Sequence, residues 1–193
     1  MISTDAKAEK LQLGAKLRSL RAAKQWTIQQ LATKSAVSRA MISKIERGEA
    51  SPTTVVLGKL AEGLGVSISQ LIGGRKARGA RLLRPHGQPV YRDSKSGFER
   101  RSLSPVSRHN GVDVVLNALP AGASTGPFPS HRGGVEEHLY VIRGRLIVTL
   151  GRKRFKLEAG DALFFPAAVT HRFDNPGEIQ TDYLIVIDNT ALA

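Results

Sequence analysis

The sequence predicts two domains of different class: a bundle of five short helices, then an antiparallel β-sandwich or barrel. In residues 11–72, apolar side chains recur at helical spacing between capping residues and glycines. From Arg81 onward, short runs of Val, Ile, Leu, Phe and Tyr alternate with Gly, Pro, Asn and Asp turns. Residues 1–78 contain 14 Lys and Arg but only 5 Asp and Glu. We therefore expect the all-α domain to bind a polyanion and the all-β domain to have another role.

Composition excludes several classes of protein and of site. The 193 residues carry a net charge of +13 and contain no cysteine, so neither disulfides nor thiolate metal sites are available. The first ten residues lack the basic and apolar segments of a secretion signal. No apolar run approaches the ~20 residues that span a membrane. We expect a cytoplasmic protein with no membrane partner.

The first helix is predicted over residues 11–24, after a polar and flexible N-terminus of residues 1–10. Leu13, Leu17 and Leu20 share one face of that helix and indicate that this face packs against a core. Basic residues occupy its other faces.

Residues 26–48 contain the most informative pattern of the chain. Thr27 and Gln30 match a capping box at the start of a second helix, and Ser38 offers a cap for a third. The periodicity breaks around Ala36, so two short helices joined by a tight turn, the second with basic outer faces, describe a helix-turn-helix. The residues predicted to form its core are Leu31, Ala32, Val37, Ile42 and Ile45. The alternative is an ordinary helical hairpin with a solvated basic face.

The fuller pattern V-S-x-x-x-I-S-x-I-E-R-G-x-x-x-P, over residues 37–52, closely resembles the Cro and lambda-repressor-like (XRE) family. With the flanking helices the resemblance covers residues 11–72. It implies a five-helix DNA-binding domain whose third helix lies in the major groove of a double-stranded operator. Ala36 replaces the turn glycine of the family, and a left-handed backbone there would cost about 1–2 kcal/mol.

The resemblance also assigns DNA contacts to the second and third helices and their caps. The candidates are Thr27, Gln29, Ser38, Arg39, Ala40, Ser43, Lys44 and Arg47. Among them, Arg39 has the side chain that binds guanine O6 and N7 in a bidentate manner. Because one such domain covers a single half-site, the resemblance implies a homodimer on an inverted repeat.

The rest of the helical domain follows from caps and glycines. Ser51-Pro52 predicts the start of a fourth helix that ends near Leu64, and residues 67–72 predict a fifth. Residues 73–80 are rich in glycine and charge without a core-forming pattern, so we interpret them as a linker.

Nine short strands are predicted in residues 81–193. They cover residues 88–92, 98–103, 112–119, 137–142, 145–150, 153–157, 162–165, 170–174 and 181–187. Arg143-Gly144 and Gly151-Arg152 are typical of tight hairpin turns between neighbouring strands. Short strands without intervening helices favour a sandwich or a barrel.

Two blocks in this region resemble the paired motifs of the cupin family. The first runs from Gly126 to Gly144 and contains His131 and Glu137, and the second runs from Gly160 to Asn175 and contains His171. The resemblance covers about residues 112–187. It implies a double-stranded β-helix, a jelly-roll barrel, that binds an effector.

Cupins commonly hold a divalent metal through two histidines and a glutamate of the first block and one histidine of the second. Carried over to this sequence, those positions are His131, Gly133, Glu137 and His171. With glycine at one position, the resemblance implies a three-ligand site for Zn, Fe, Mn or Ni, formed by His131, Glu137 and His171. The alternative is a metal-free barrel whose polar interior binds an organic ligand or only bonds to itself. His138 follows Glu137 and should face the other side of its strand.

Arg100 and Arg101 lie on one predicted strand. A guanidinium that points into the barrel could bind a carboxylate or sulfate-like effector. We expect these arginines on the sheet surface instead.

Together these features predict a transcriptional regulator that responds to an unidentified small-molecule effector and is not an enzyme. The alternative is a metal-dependent cupin oxygenase or epoxidase with a vestigial helix-turn-helix. A hydroxypropylphosphonate epoxidase combines the same two domains, but its first-block histidine matches Gly133 rather than His131. The complete helix-turn-helix pattern favours the regulator.

Overall fold

The computed structural model describes residues 4–72, 82–104, 111–131 and 133–189, which form a helical domain followed by a β-domain. The helices are α1 (Thr4–Ala23), α2 (Ile28–Ser35), α3 (Arg39–Glu46), α4 (Thr54–Leu64) and α5 (Ile68–Ile72). All five predicted helices are therefore present. Within the described ranges, none of the helices is long and apolar enough to cross a membrane. The predicted linker, residues 73–80, lies outside the described residues.

The start of α1 differs from the prediction. The helix begins at Thr4 rather than at Leu11, so residues 4–10 of the predicted flexible N-terminus are helical. This segment is rich in Ala, Lys and Glu, which have high helix propensity.

The start of α4 also differs. Thr53, not Ser51, is its N-cap, and Pro52 lies outside the helix. The carbonyl oxygen of Pro52 accepts a 2.7 Å hydrogen bond from the Tyr91 hydroxyl of the β-domain. A contact between domains, invisible to local sequence patterns, thus accompanies the later start of α4.

The helices pack around one apolar core. Of the predicted helix-turn-helix core, Leu31, Val37, Ile42 and Ile45 are buried and Ala32 is half-buried against them. A Cβ added at Gly14 would lie 2.3 Å from the carbonyl oxygen of Ile45. Only glycine therefore permits this close approach of α1 to α3.

An ion pair joins α1 to the end of α3. The Arg21 guanidinium donates to both carboxylate oxygens of Glu46, at 2.7 and 2.9 Å, and to the carbonyl oxygen of Trp26 at 2.7 Å. The two side chains are only 15% and 6% exposed. Arg21 therefore stabilises the helix-turn-helix from behind and is not free to contact DNA.

The β-domain contains nine strands, each within two residues of its predicted bounds. They are β1 (Val90–Arg92), β2 (Glu99–Ser102), β3 (Val112–Leu119), β4 (Glu136–Arg143), β5 (Arg145–Leu150), β6 (Lys153–Glu158), β7 (Ala162–Pro166), β8 (His171–Asp174) and β9 (Thr181–Asp188). A 3₁₀ turn at Pro85–Gly87 precedes them. The predicted all-β class of the second domain is confirmed.

The strands form two antiparallel sheets that face each other. One has six strands in the order β1-β2-β3-β9-β4-β7, and the other has three in the order β6-β5-β8. Along β4, Glu137, Leu139 and Val141 are buried between the sheets, as predicted from strand alternation. His138 faces outward, where its ring packs against Phe164 at 4.8 Å between centroids.

The two domains are in direct contact through α4. Asp93, in the turn between β1 and β2, accepts hydrogen bonds from the backbone N–H and the hydroxyl of Thr54, both at 2.7 Å. A Cβ added at Gly58 would lie 3.1 Å from Pro129 of the β-domain. The described contacts, and not only the predicted linker, therefore connect the domains.

Candidate functional site

The helix-turn-helix begins with the caps that its sequence predicts. Thr27 and Gln30 form a capping box at α2, and the Ser38 hydroxyl accepts a hydrogen bond from the Met41 N–H at α3. Ala36 between the helices has a left-handed backbone, with φ 51° and ψ 34°. The expected turn thus forms in spite of the alanine, which carries the expected local strain.

The eight predicted DNA-contacting residues are all at least partly exposed. Thr27, Gln29, Ser38, Arg39, Ala40, Lys44 and Arg47 are exposed, and Ser43 is half-buried. Arg39 is the first residue of α3, where a recognition helix contacts base edges. The structure therefore leaves all eight predicted residues accessible, at least in part, to a ligand of this helix.

Two of these residues are already bonded to each other. Arg47 donates to the Ser43 hydroxyl and also forms an ion pair with Glu49, with its Nε 2.6 Å from Oε1. Glu49 thus holds Arg47 beside α3 and places a negative charge at this surface. A phosphate that binds Arg47 must compete with that carboxylate.

The three predicted metal ligands converge inside the barrel mouth. Glu137 comes from β4, His171 begins β8, and His131 lies in the loop between β3 and β4. Glu137 Oε1 lies 3.1 Å from His131 Nε2 and 3.7 Å from His171 Nε2. Their candidate donor atoms all lie within 4.8 Å of one another. Two ligands about 2.1 Å from one ion lie roughly 3–4 Å apart, so this spacing fits a divalent metal.

The protonation states also fit a metal. Burial raises the pKa of Glu137, but the hydrogen bond from His131 and the charges of His171, His131 and Arg100 outweigh it and lower this pKa. Burial lowers the pKa of His171 more than Glu137 raises it. A carboxylate and a neutral imidazole, the metal-binding forms of both groups, are therefore favoured near neutral pH.

Backbone hydrogen bonds fix the ring of His171 and the main chain at His131. His171 Nδ1 lies 3.0 Å from the carbonyl oxygen of Val169, which can only accept, so the proton is on Nδ1 and Nε2 carries the lone pair. The His131 N–H donates to the Ala167 carbonyl at 2.8 Å. At Gly133, a Cβ would meet no atom within 4 Å, so the position of the replaced histidine is open.

A cavity of about 430 Å³ extends from this cluster to the helical domain. Its barrel wall includes Glu137 and Arg100, and its other wall includes Gly58 of α4, Val66 and Ser67 of the turn after α4, and Ile68 of α5. The cavity is therefore shared by the two domains. A ligand inside it would contact both.

The expectation that Arg100 lies on the sheet surface is wrong. Its side chain points into the barrel, is 5% exposed and lines the cavity. Arg101 faces outward, where it bonds to Glu99 at 2.8 Å. Sequence analysis also missed Asp113, Asn117 and Tyr183, buried polar residues of the same cavity. These three residues occupy the same alternate positions of β3 and β9 as the buried apolar residues. That alternation is the sequence signal that could have identified them as inward-facing.

Comparison with known proteins identifies the family. A helix-turn-helix family model matches residues 17–71, and a cupin domain model matches residues 115–187. The HTH-type transcriptional regulator SutR of Escherichia coli (strain K12) is 32% identical over 166 residues, which cover 86% of this chain and 88% of SutR. This chain belongs to the helix-turn-helix transcriptional regulators with a cupin domain.

Solved structures confirm the two-domain fold of this regulator. An HTH_3 family transcriptional regulator from Vibrio cholerae superposes with a TM-score of 0.78 at 22% identity, over 95% of this chain and 98% of the other. A crystal structure of Fe(II) HppE gives a TM-score of 0.50 at 20% identity, over 92% and 98%. At such identities both likenesses concern fold alone. The sequence relationship is to a regulator, which favours a DNA-binding regulator over the alternative enzyme.

Proposed function

We propose that this regulator binds an inverted-repeat operator as a homodimer and that a ligand in the cavity between its domains modulates the binding. The observation that carries the proposal is the shared cavity, because one of its walls belongs to the domain that carries α3. Its relatives are bacterial regulators, so we also propose a cytoplasmic location.

The DNA-binding part of the proposal rests on α3. The exposed Arg39 at its first position is suited to a guanine edge, and Lys44 five residues later is suited to a phosphate. Ala40 between them leaves room for close approach to a base. Exposed Thr27 and Gln29 lie at the start of α2, where a helix N-terminus suits a phosphate.

The homodimer requires a second surface, and the outer face of the six-stranded sheet offers one. Tyr140 and Ile142 on β4 and Phe164 on β7 are 47%, 49% and 52% exposed. We name these three residues the outer apolar patch. Large apolar side chains grouped on a sheet face are typical of a protein interface. A two-fold axis through this patch would present two copies of α3 to the half-sites of an operator.

The coupling between cavity and DNA would run through α4 and α5. α5 contains Ser69, which with Ser67 faces the Asp113 carboxyl of β3, and α4 packs on α2 within the helix-turn-helix domain. A ligand that favours one position of α4 and α5 against the barrel changes the placement of α3. The ligand can change the operator affinity at most by the factor by which its own affinity differs between the two positions of α4 and α5.

A divalent metal in this barrel would be held by His131, Glu137 and His171. It would supply a Lewis-acidic centre with coordination sites open to an oxygen or nitrogen donor of the effector. The convergent donor atoms and the fixed His171 tautomer support this assignment. With only nitrogen and carboxylate donors, the set suits Zn, Fe, Mn or Ni.

The experiment that tests the proposal is selection of bound DNA from a random pool, followed by affinity measurements on the selected operator. We expect an inverted repeat with half-sites about one helical turn apart. Arg39→Ala should weaken binding and relax the preference at one base pair, by about 1–3 kcal/mol. Lys44→Ala should weaken binding to all sequences. It should also reduce by about one the number of ions released on binding, which the salt dependence of the affinity measures.

Arg154→Ala is the matched control, since Arg154 is an exposed arginine on β6 of the barrel. It should leave operator affinity unchanged. The proposal would be contradicted if the selection gave no common sequence. It would also be contradicted if Arg39→Ala and Arg154→Ala lowered operator affinity equally.

A further inference from the structure

The cavity contains a group of buried polar atoms without hydrogen-bond partners among the described residues. They include Arg100 Nε, both side-chain atoms of Asn117, the Tyr183 hydroxyl and Glu137 Oε2. The four side chains are at most 5% exposed. Buried polar groups in native proteins are almost always bonded, so this cavity is built to receive polar atoms.

Strand register places three of these side chains in one row. Arg100 on β2 pairs with Asn117 on β3, and Asn117 pairs with Tyr183 on β9. Residues directly opposite each other in antiparallel strands point to the same face, so the guanidinium, amide and phenol lie side by side. We name these three residues the Arg100 row.

The metal-ligand cluster lies on a different row. Asp113 on β3 and Glu137 on β4 both pair with Ile187, four residues along the strands from the Arg100 row. Four residues correspond to about 13 Å of strand. The cavity therefore has polar residues at two levels of the sheet, one with Glu137 of the metal-ligand cluster and one with the Arg100 row.

We propose that the Arg100 row binds the carboxylate group of a small organic acid, with Arg100 as its bidentate partner and Asn117 and Tyr183 as neutral donors. Two coplanar carboxylate oxygens match the parallel N–H groups of a guanidinium. The remaining walls include Phe98, Ile185 and Ile187, which suit a hydrocarbon body. A cavity of about 430 Å³ is of the size that takes small molecules.

The positive charge of Arg100 disfavours cationic and neutral ligands. Arg100 is always protonated, and its Nε has no hydrogen-bond partner in the described part of the chain. The Asp113 and Glu137 carboxyls act on this guanidinium through their charge, while Glu137 Oε1 lies 3.1 Å from His131 Nε2 and Asp113 bonds to Ser67. A cation would be repelled by the guanidinium, and a neutral ligand would not offset its buried charge.

This inference rests on the proposed role of the barrel as a sensor and names the ligand class of that cavity. It requires no metal. It assigns to Arg100 a role in binding, which explains why the chain buries a guanidinium whose Nε has no hydrogen-bond partner.

The test uses the full chain and three carboxylates, acetate, propionate and benzoate, each compared with its neutral amide. Methanesulfonate and inorganic phosphate test whether another oxyanion is preferred. We expect at least one carboxylate to raise the Tm while its amide does not, and we expect calorimetry to show binding at one site per chain. A series in which no carboxylate raises the Tm, or in which amides, sulfonate or phosphate act equally well, would overturn the proposal.

Variants locate the site. Arg100→Met should weaken carboxylate binding at least tenfold, while Arg101→Met, on the outer face of the same strand, should leave it unchanged. Without ligand, Arg100→Met should melt no lower than the wild type, because it removes a buried charge. Tyr183→Phe loses only a hydroxyl and should weaken binding severalfold, which tests the row even if Arg100→Met fails to fold.

A chelator and an operator assay separate this inference from its alternatives. Carboxylate binding that survives in Arg100→Met and disappears with EDTA would place the ligand on a metal and overturn the inference. If the chain binds its operator but no carboxylate changes its Tm, the carboxylate inference fails and the proposed DNA binding stands. Binding of carboxylate that depends on Arg100 but never changes operator affinity would defeat the proposed modulation and leave the site standing.

Discussion

The Asp93 carboxylate accepts two 2.7 Å hydrogen bonds from Thr54, one from the backbone N–H at the start of α4 and one from the hydroxyl. Asp93 belongs to the β-domain and Thr54 to the helical domain, and they are only 4% and 1% exposed. The carboxylate thus satisfies a free N–H of the first helical turn and lies at the positive end of the helix dipole. One side chain both caps α4 and fixes it against the barrel.

Asp93 should make the stability of the folded chain depend on pH. Burial raises its pKa, but hydrogen bonds from the backbone and hydroxyl of Thr54 and from the N–H groups of Lys95 and Ser96 outweigh it, so the pKa lies below its usual value. Its contribution is therefore complete above the unfolded pKa of about 4 and is lost as pH falls through the lower folded value.

Asp93→Asn should accordingly lower the free energy of unfolding by about 1–3 kcal/mol at neutral pH. The gap to the wild type should close in acid, below about pH 4. Urea unfolding at several pH values measures it, with Asp161→Asn in the exposed turn between β6 and β7 as the control. A gap that is constant with pH would show that the charge of Asp93 does not act at this junction.

The ion pair of Arg21 and Glu46 should contribute more to stability than the ion pair of Arg47 and Glu49. Glu46→Gln breaks a pair whose side chains are largely buried, and we expect it to lower the free energy of unfolding by about 1–3 kcal/mol. Glu49→Gln breaks an exposed pair and should leave stability unchanged. It should instead strengthen DNA binding, because Arg47 is released. Equal destabilisation by the two changes would be the contrary result.

Metal affinity should respond to the position where glycine replaces a histidine. Gly133→His adds a side chain into open space, and we expect it to raise the affinity for Zn²⁺ at least tenfold, or ~1.4 kcal/mol. His171→Ala should remove most of the binding. His138→Ala, on the outer face of β4, is the control and should change nothing. Calorimetric titration measures the Zn²⁺ affinity of the wild type and the three variants. Equal losses of affinity in His138→Ala and His171→Ala would argue against the metal site.

The outer apolar patch should control the oligomeric state. Tyr140→Glu places a charge in the middle of the proposed interface and should convert the dimer to a monomer in light scattering. Ile179→Glu replaces another half-exposed apolar residue outside the patch and should leave the dimer intact. A wild-type chain that is monomeric, or a Tyr140→Glu dimer, would mean that the patch is not the interface.

Local patterns in the sequence were sufficient for most of the architecture. The caps Thr27 and Ser38 define α2 and α3, because their hydroxyls accept from backbone N–H groups three residues later. Strand alternation placed Glu137 inside and His138 outside, because successive residues of a strand face opposite sides. Such features depend only on neighbours in the chain.

The orientation of Arg100 could not be predicted in the same way. The strand Glu99–Ser102 has polar residues on both faces, so no apolar phase shows which face is buried. Pairing with β3 decides it, since Arg100 lies opposite the inward-facing Asn117. This register depends on residues that are distant in sequence.

The contact between the domains was equally hidden. Thr54 and Asp93 are 39 positions apart, and nothing local relates a threonine in a helix start to an aspartate in a β-turn. The cavity between the domains is lined by other residues of α4 and the barrel, such as Gly58 and Arg100, and these are also distant in sequence. The cavity that we propose as the site of control lies between the domains, and the sequence alone did not predict that position.

The most direct test of the account is the affinity of the full chain for its selected operator, with and without the carboxylate that raises the Tm most. We predict that this carboxylate changes the operator Kd by about fivefold or more in the wild type and has no effect in Arg100→Met. An operator Kd that the carboxylate leaves unchanged, or changes equally in both proteins, would contradict control of DNA binding from the cavity.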